Sequence, residues 1–310
     1  MSASLTYTNT IPATASTGMW LHHTVWTNLA RSDSIPHSCP PPQYPNGDRF
    51  FASGNERTPI DLTANGTIKA GYPIYNGEVI AMGGELMNMR RQSQQVLLSV
   101  VFEFVPELRR GFREVRSYWL DVGGCVGSSV PAREDAVWDL KSPAVRAEGA
   151  GKVVFVASHL HDGGVKTEVS RNGEVVCESI AGYKKVGEAD HIDRLSTCAD
   201  VGETGKGDEW SVKSYYDTKL HAPMRNMDGS LEPVMGISLV YVAAGKEHGH
   251  EKVKVFLGMG ILVLSAALGV VWARMNGRNW LGRRSGVVRL EGGETEAERD
   301  RKVGRYADEE

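Results

Sequence analysis

Nine histidines and ten methionines occur in this 310-residue chain, and a few of them stand at spacings suited to metal binding. His159-Leu160-His161 closes a strand-like run at residues 153–161 (VVFVASHLH). Side chains at i and i+2 of a strand share a face, so the two imidazoles can converge on one ion. By itself such a pair is more often a surface feature of a strand end than a ligand set. His22-His23 lies within residues 18–26 (GMWLHHTVW). Adjacent residues of a regular strand face opposite sides, so one metal can take both only at a bulge or a strand end. Met235 opens the run MGISLVYVA. A methionine there ordinarily fills a core, but its thioether is also a soft ligand that favours Cu(I). Met224 and Met227, in residues 221–227 (HAPMRNM), bring more sulfur close in sequence.

Other chemistries lack their residues. No nucleophile elbow, Walker loop, dinucleotide fingerprint or CxxC pair is present. The carboxylates form no spaced pair of the glycosidase kind. A net charge of −3 argues against a general nucleic-acid binder.

The elements that must position the histidines read as strands. Residues 94–105 (QQVLLSVVFEFV), 114–122 (EVRSYWLDV), 153–161, 210–216 and 236–243 (GISLVYVA) are rich in β-branched and aromatic residues. Residues 165–170 and 174–177 flank Asn172-Gly173, a strong short-range hairpin signal. No segment before residue 245 sustains helical periodicity. The spacing predicts an all-β chain of sandwich type. The polar, proline-containing segment at 130–142 predicts a boundary, with a first sandwich over 1–130 and a second, carrying His-x-His and Met235, over 131–245. The proline-rich stretch 36–45 (PHSCPPPQYP), which holds His37, reads as a loop within the first.

Residues 255–273 (VFLGMGILVLSAALGVVWA) hold no charged side chain. As a helix this run would extend roughly 28 Å, close to a bilayer's hydrocarbon core. It predicts a single transmembrane helix over 253–274 and hence a lipid-bilayer partner. Arg274, Arg278, Arg283, Arg284 and Arg289 follow it, which places the charged tail, 275–310, in the cytosol and the β domains in the lumen or outside. Asn65-Gly66-Thr67 is a glycosylation sequon, and Cys39, Cys125, Cys177 and Cys198 suit an oxidising compartment. The opening MSASLTYTNTIPATASTG has no basic n-region and no apolar h-region. Either a leader upstream of residue 1 is missing from this sequence or the β domains stay in the cytosol, and the first is the expectation.

The order His-His, then His-x-His, then Met about seventy residues on resembles the copper type II ascorbate-dependent monooxygenases, the group of peptidylglycine α-hydroxylating and dopamine β-monooxygenases. The second half, with FVASHLHDGGVKTEVSRNGEVVCES, HIDRLSTC, GDEWSVKSYYDTKLHAPM and EPVMGISLVYVA, is similar to the stress up-regulated Nod 19 family and its membrane-anchored fungal relatives. The resemblance covers roughly residues 18–244. It implies two tandem antiparallel β-sandwiches of jelly-roll kind, the first shortened at its amino end. Each would carry one copper, the two facing across a solvent-filled gap. His159, His161 and Met235 would form the oxygen-activating site, and His22 and His23 the electron-transfer site, with ascorbate or a similar external reductant and a small-molecule substrate.

Two departures qualify this. Residues 80–89 (IAMGGELMNM), where the family places a third electron-transfer histidine, contain none, leaving Glu85, Met87 and Met89 as alternatives. Where the peptide-amidating enzymes place a substrate-binding arginine, Ala157 stands, so a glycine-extended peptide is not the expected substrate. Cys177 and Cys198 are expected to bridge; Cys39 and Cys125 pair with each other or with cysteines upstream. Two functions follow from different classes: a membrane-anchored copper monooxygenase-like enzyme holding one or two ions, and a non-catalytic ectodomain kept for copper binding, stress response or adhesion.

Overall fold

The computed structural model describes residues 1–34, 38–39, 47–105, 111–125, 127–226, 228–245 and 284–289, and over these the chain is all-β. In chain order the strands are β1 (Ser2–Tyr7), β2 (Met19–Asn28), β3 (Asp48–Gly54), β4 (Ala70–Gly71), β5 (Ile80–Asn88) and β6 (Val96–Phe104). There follow β7 (Arg113–Asp121), β8 (Val137–Lys141), β9 (Val145–Arg146), β10 (Gly151–Leu160), β11 (Gly164–Arg171) and β12 (Glu174–Val186). The rest are β13 (Ala189–Leu195), β14 (Cys198–Thr204), β15 (Glu209–Asp217), β16 (Gly236–Ala244) and β17 (Arg284–Arg289). The hairpin expected at Asn172-Gly173 joins β11 to β12. Both turn residues have positive φ, 52° and 86°, as a two-residue type I′ turn requires.

The strands form four sheets: β14-β10-β16-β7-β4, β13-β12-β11-β15-β8, β3-β2-β5 and β1-β6-β17. The first of these lies in the middle. Along β16, Ile237, Leu239, Tyr241 and Ala243 pack with Leu5 of β1, Leu21 and Trp26 of β2, Phe50 and Phe51 of β3 and Val100 of β6. The alternate residues Val240 and Val242 pack the other way, with Val169 of β11, Cys177 of β12, and Trp210 and Val212 of β15. Strand β7 divides likewise, Val115 and Trp119 to one side, Tyr118 and Leu120 to the other. A strand apolar on both faces reads as a continuous apolar run rather than an alternating one, which explains the composition of residues 236–243.

Strands on the two sides of the segment 130–142 pair with each other. Strand β7, ahead of it, is hydrogen-bonded along its length to β16, beyond it, with Ile237 opposite Asp121 and Ala243 opposite Val115. Pairing between strands 120 residues apart is not visible in local composition. Both disulfides form: Cys177–Cys198 fastens β12 to the start of β14, and Cys39–Cys125 ties the loop before β3 to the turn after β7. Asn65 is exposed in the turn after Ile60. The run 255–273, His37 and Met227 lie outside the described residues. Among the described residues no helix is long and apolar enough to cross a membrane.

Candidate metal centre

His22 and His23 sit on β2, where its pairing with β5 is irregular. Leu21 faces Leu86 and His23 faces Glu85, so His22 has no opposite number. Such an extra residue is a bulge, and it lifts the rule that neighbours point to opposite faces. The two rings lie 5.1 Å apart, centroid to centroid. His159 faces Ile237 in the β10–β16 ladder, and the His161 N–H donates to the Met235 carbonyl at 3.3 Å, just past the end of β10. Regular strand spacing thus delivers the second pair as expected, with ring centroids 5.2 Å apart.

The two pairs meet. The His161 ring centroid is 4.3 Å from that of His22 and 6.1 Å from that of His23, and His159 is 6.0 Å from His23. Ligand-capable nitrogens of His22, His23 and His161 all lie within 4.8 Å of one another. The sheet carrying β2 packs on the central sheet that carries β10, so the histidines face each other across one interface rather than a wide gap. Three imidazoles converge, with His159 beside them.

What the nitrogens lack is as informative as where they are. His159 Nε2 and His161 Nε2 are buried without a hydrogen-bond partner, and His22 Nδ1 and His23 Nε2, also without one, have the Glu85 carboxylate nearby. An orphaned buried polar atom costs on the order of 1–3 kcal/mol, so two on one His-x-His pair beside a third and fourth imidazole point to a ligand site. On the far side of the second pair the partners are well defined. His161 Nδ1 donates to the Pro233 carbonyl at 2.6 Å, and His159 Nδ1 to the Glu56 carboxylate at 3.2 Å. A carbonyl or carboxylate can only accept, so the proton is on Nδ1 and the Nε2 lone pair is left for a metal.

Electrostatics agree. Burial, reinforced by the neighbouring His159 and His23, lowers His22 to about 3. Burial and His159 lower His23 to about 4, against an opposing pull from Glu56. His161 is pushed well below the usual imidazole value by burial and by the adjacent rings. Neutral imidazole is the ligating form. Glu56 behaves oppositely: burial acts to raise its carboxyl, and the His159 ring with the Gly54 N–H outweighs that and holds it low.

Of the three alternatives within residues 80–89, Glu85 approaches the cluster. Its Oε2 lies 3.1 Å from His23 Nε2 and 3.6 Å from His22 Nδ1, while Met87 stands opposite Trp20 and Met89 is exposed. Met235 lines a cavity together with His23 and His159. Met224 borders a small cleft with His22, His159 and His161. Two partners were not foreseen from sequence. Glu56, in the loop after β3, has no fixed spacing from any histidine, and Pro233 acts through its carbonyl, which residue identity does not advertise. Gly54 completes the cradle: a Cβ there would lie 2.6 Å from His159 Nδ1 and closer still to the Glu56 carboxylate.

Comparison with known proteins decides the family. Over 248 residues the chain is 41% identical to the probable copper-dependent oxygenase clz3 of Cochliobolus lunatus, covering 79% of each chain. It is also 41% identical over 248 residues to the probable copper-dependent oxygenase M1 of a Phoma species. The chain belongs to this family of copper-dependent oxygenases. It spans 63% of the length of the Phoma protein, of which 79% of the chain takes part in the match. No family model matches the chain. The copper-oxygenase character expected from the motifs is thus supported by the family, and the narrower likeness to the Nod 19 family remains a reading of the motifs. A cluster of imidazoles with a thioether nearby is the donor set that copper favours.

Proposed function

We propose that the chain is a copper oxygenase built around one histidine centre, with His22, His23 and His161 as its first ligands and His159 and Met235 on its cavity side. The observation that supports this most is the convergence of ligand-capable nitrogens of His22, His23 and His161 within 4.8 Å of one another, at a site where His159 Nε2 and His161 Nε2 are buried without a partner. Copper bound there would supply one-electron redox chemistry and reduction of dioxygen toward oxygenation of a C–H bond. The chain's own residues do the rest. Pro233 and Glu56 fix the tautomers of His161 and His159. Burial keeps His22, His23 and His161 neutral. Met235 offers a soft donor that favours the reduced ion. The two-site arrangement implied by the monooxygenase resemblance gives way, in this proposal, to a single centre, because the pairs lie too close to serve opposite walls of a gap.

The test is oxygen uptake by the full chain with copper and ascorbate, set against His161→Ala. Uptake well above the variant is expected, and equal uptake would refute the enzyme. A second reading, a copper-binding ectodomain without turnover, draws on the absence of a histidine from residues 80–89; copper bound tightly with no uptake would favour it. The apolar run 255–273 supports membrane attachment; because β17, after it, pairs with β6, Arg284 and Arg289 stay on the same side as the β domains. Co-sedimentation of the full chain with liposomes would bear the attachment out, and its failure would oppose it.

A further inference from the structure

Beside the histidine cluster lies a cavity of about 80 Å³. Its walls are chiefly apolar, with Val25, Trp119, Ala157 and Leu239 among them, and His159 and Met235 border it. Sites for whole metabolites run to several hundred Å³, so this volume takes only one end of a molecule. Among the described residues its sole carboxylate is Glu56, which is buried and already engaged by the Gly54 N–H and His159. Among the described residues no lysine or arginine lines the cavity. A negative charge entering it would be desolvated and would meet a second negative charge in a poorly screened setting. A neutral alkyl group meets no such penalty and gains by leaving water.

We propose that this cavity is the substrate-end subsite, and that it takes the uncharged terminus of a saturated hydrocarbon chain, presenting its C–H bonds beside His159 and Met235. The assignment of the occupant as a substrate rests on the copper-oxygenase reading, but the binding itself does not. Ala157 lines the cavity from the central sheet and is 5% exposed, so a larger side chain there would take up part of the space.

The test uses metal-free full chain, methyl-labelled, titrated with 1-butanol and with butyrate. Saturable shifts confined to the cavity methyls of Val25, Ala157 and Leu239 are expected with 1-butanol, with butyrate binding at least about tenfold more weakly. Ala157→Leu should abolish the shifts. Ala52→Leu, which fills the same cavity from β3, serves as the second variant should the first unfold. No saturable shift, equal binding of butyrate, or shifts that persist in the filled variants would overturn the proposal. Copper per chain is counted in parallel. Copper bound with no alcohol shift defeats the subsite alone. Alcohol shifts with no copper bound defeat the copper reading and leave the cavity an alkyl site of another function.

Discussion

The two histidine pairs reach the same place by opposite means. His159 and His161 come from a regular strand, and their outer nitrogens are tied down by a buried carboxylate and a backbone carbonyl. His22 and His23 come from a bulge, and the group nearest them, Glu85, has about half of its side-chain surface exposed. One pair is oriented before any ion arrives; the other has neither a fixed tautomer nor a buried anion behind it. The difference suggests a division of labour, in which the central sheet provides the rigid half of the centre and β2 closes it.

The largest effect should come from the rigid half. His161→Ala removes an imidazole shared by both close contacts, and Cu(I) affinity should fall by more than about a hundredfold, beyond the usual cost of removing an outer partner; a competition titration measures it, and a change under threefold would break the comparison. Glu56→Gln comes next. The amide oxygen can still accept a hydrogen bond from His159 but carries no charge, so a loss of about ten- to a hundredfold is expected, together with a shift of the copper reduction potential to higher values. Gly54→Ala should act in the same direction through sterics, displacing His159 from Glu56; a variant with unaltered copper affinity and an unaltered His159 NMR signal would show that the cradle is looser than its distances imply. Smallest should be Glu85→Gln, because an exposed carboxylate is screened by solvent. Only a few-fold loss is expected, and a loss equal to that of Glu56→Gln would make the two halves equivalent after all.

Much of this was legible in the sequence, and what was not has physical reasons. The strands at residues 96–104, 113–121, 151–160 and 236–244 announce themselves by β-branched and aromatic runs, and the β11–β12 turn by Asn-Gly. The i, i+2 geometry of His159 and His161 follows from strand periodicity alone. That His22 would sit at a bulge could be stated as a condition but not as a result, since register is set by the partner strand. The meeting of the two pairs was hidden for the same reason: it depends on the sheet of β2 packing against the central sheet that carries β10, a non-local contact. Glu56 was invisible because nothing in its local sequence ties it to a histidine 103 residues away.

The most direct test of the single shared centre is the number of Cu(I) ions bound per full chain, compared with His22→Ala and His161→Ala. One ion per chain, lost alike in both variants, is the predicted result. Two ions per chain, with each variant losing only one, would contradict it and restore two separate sites.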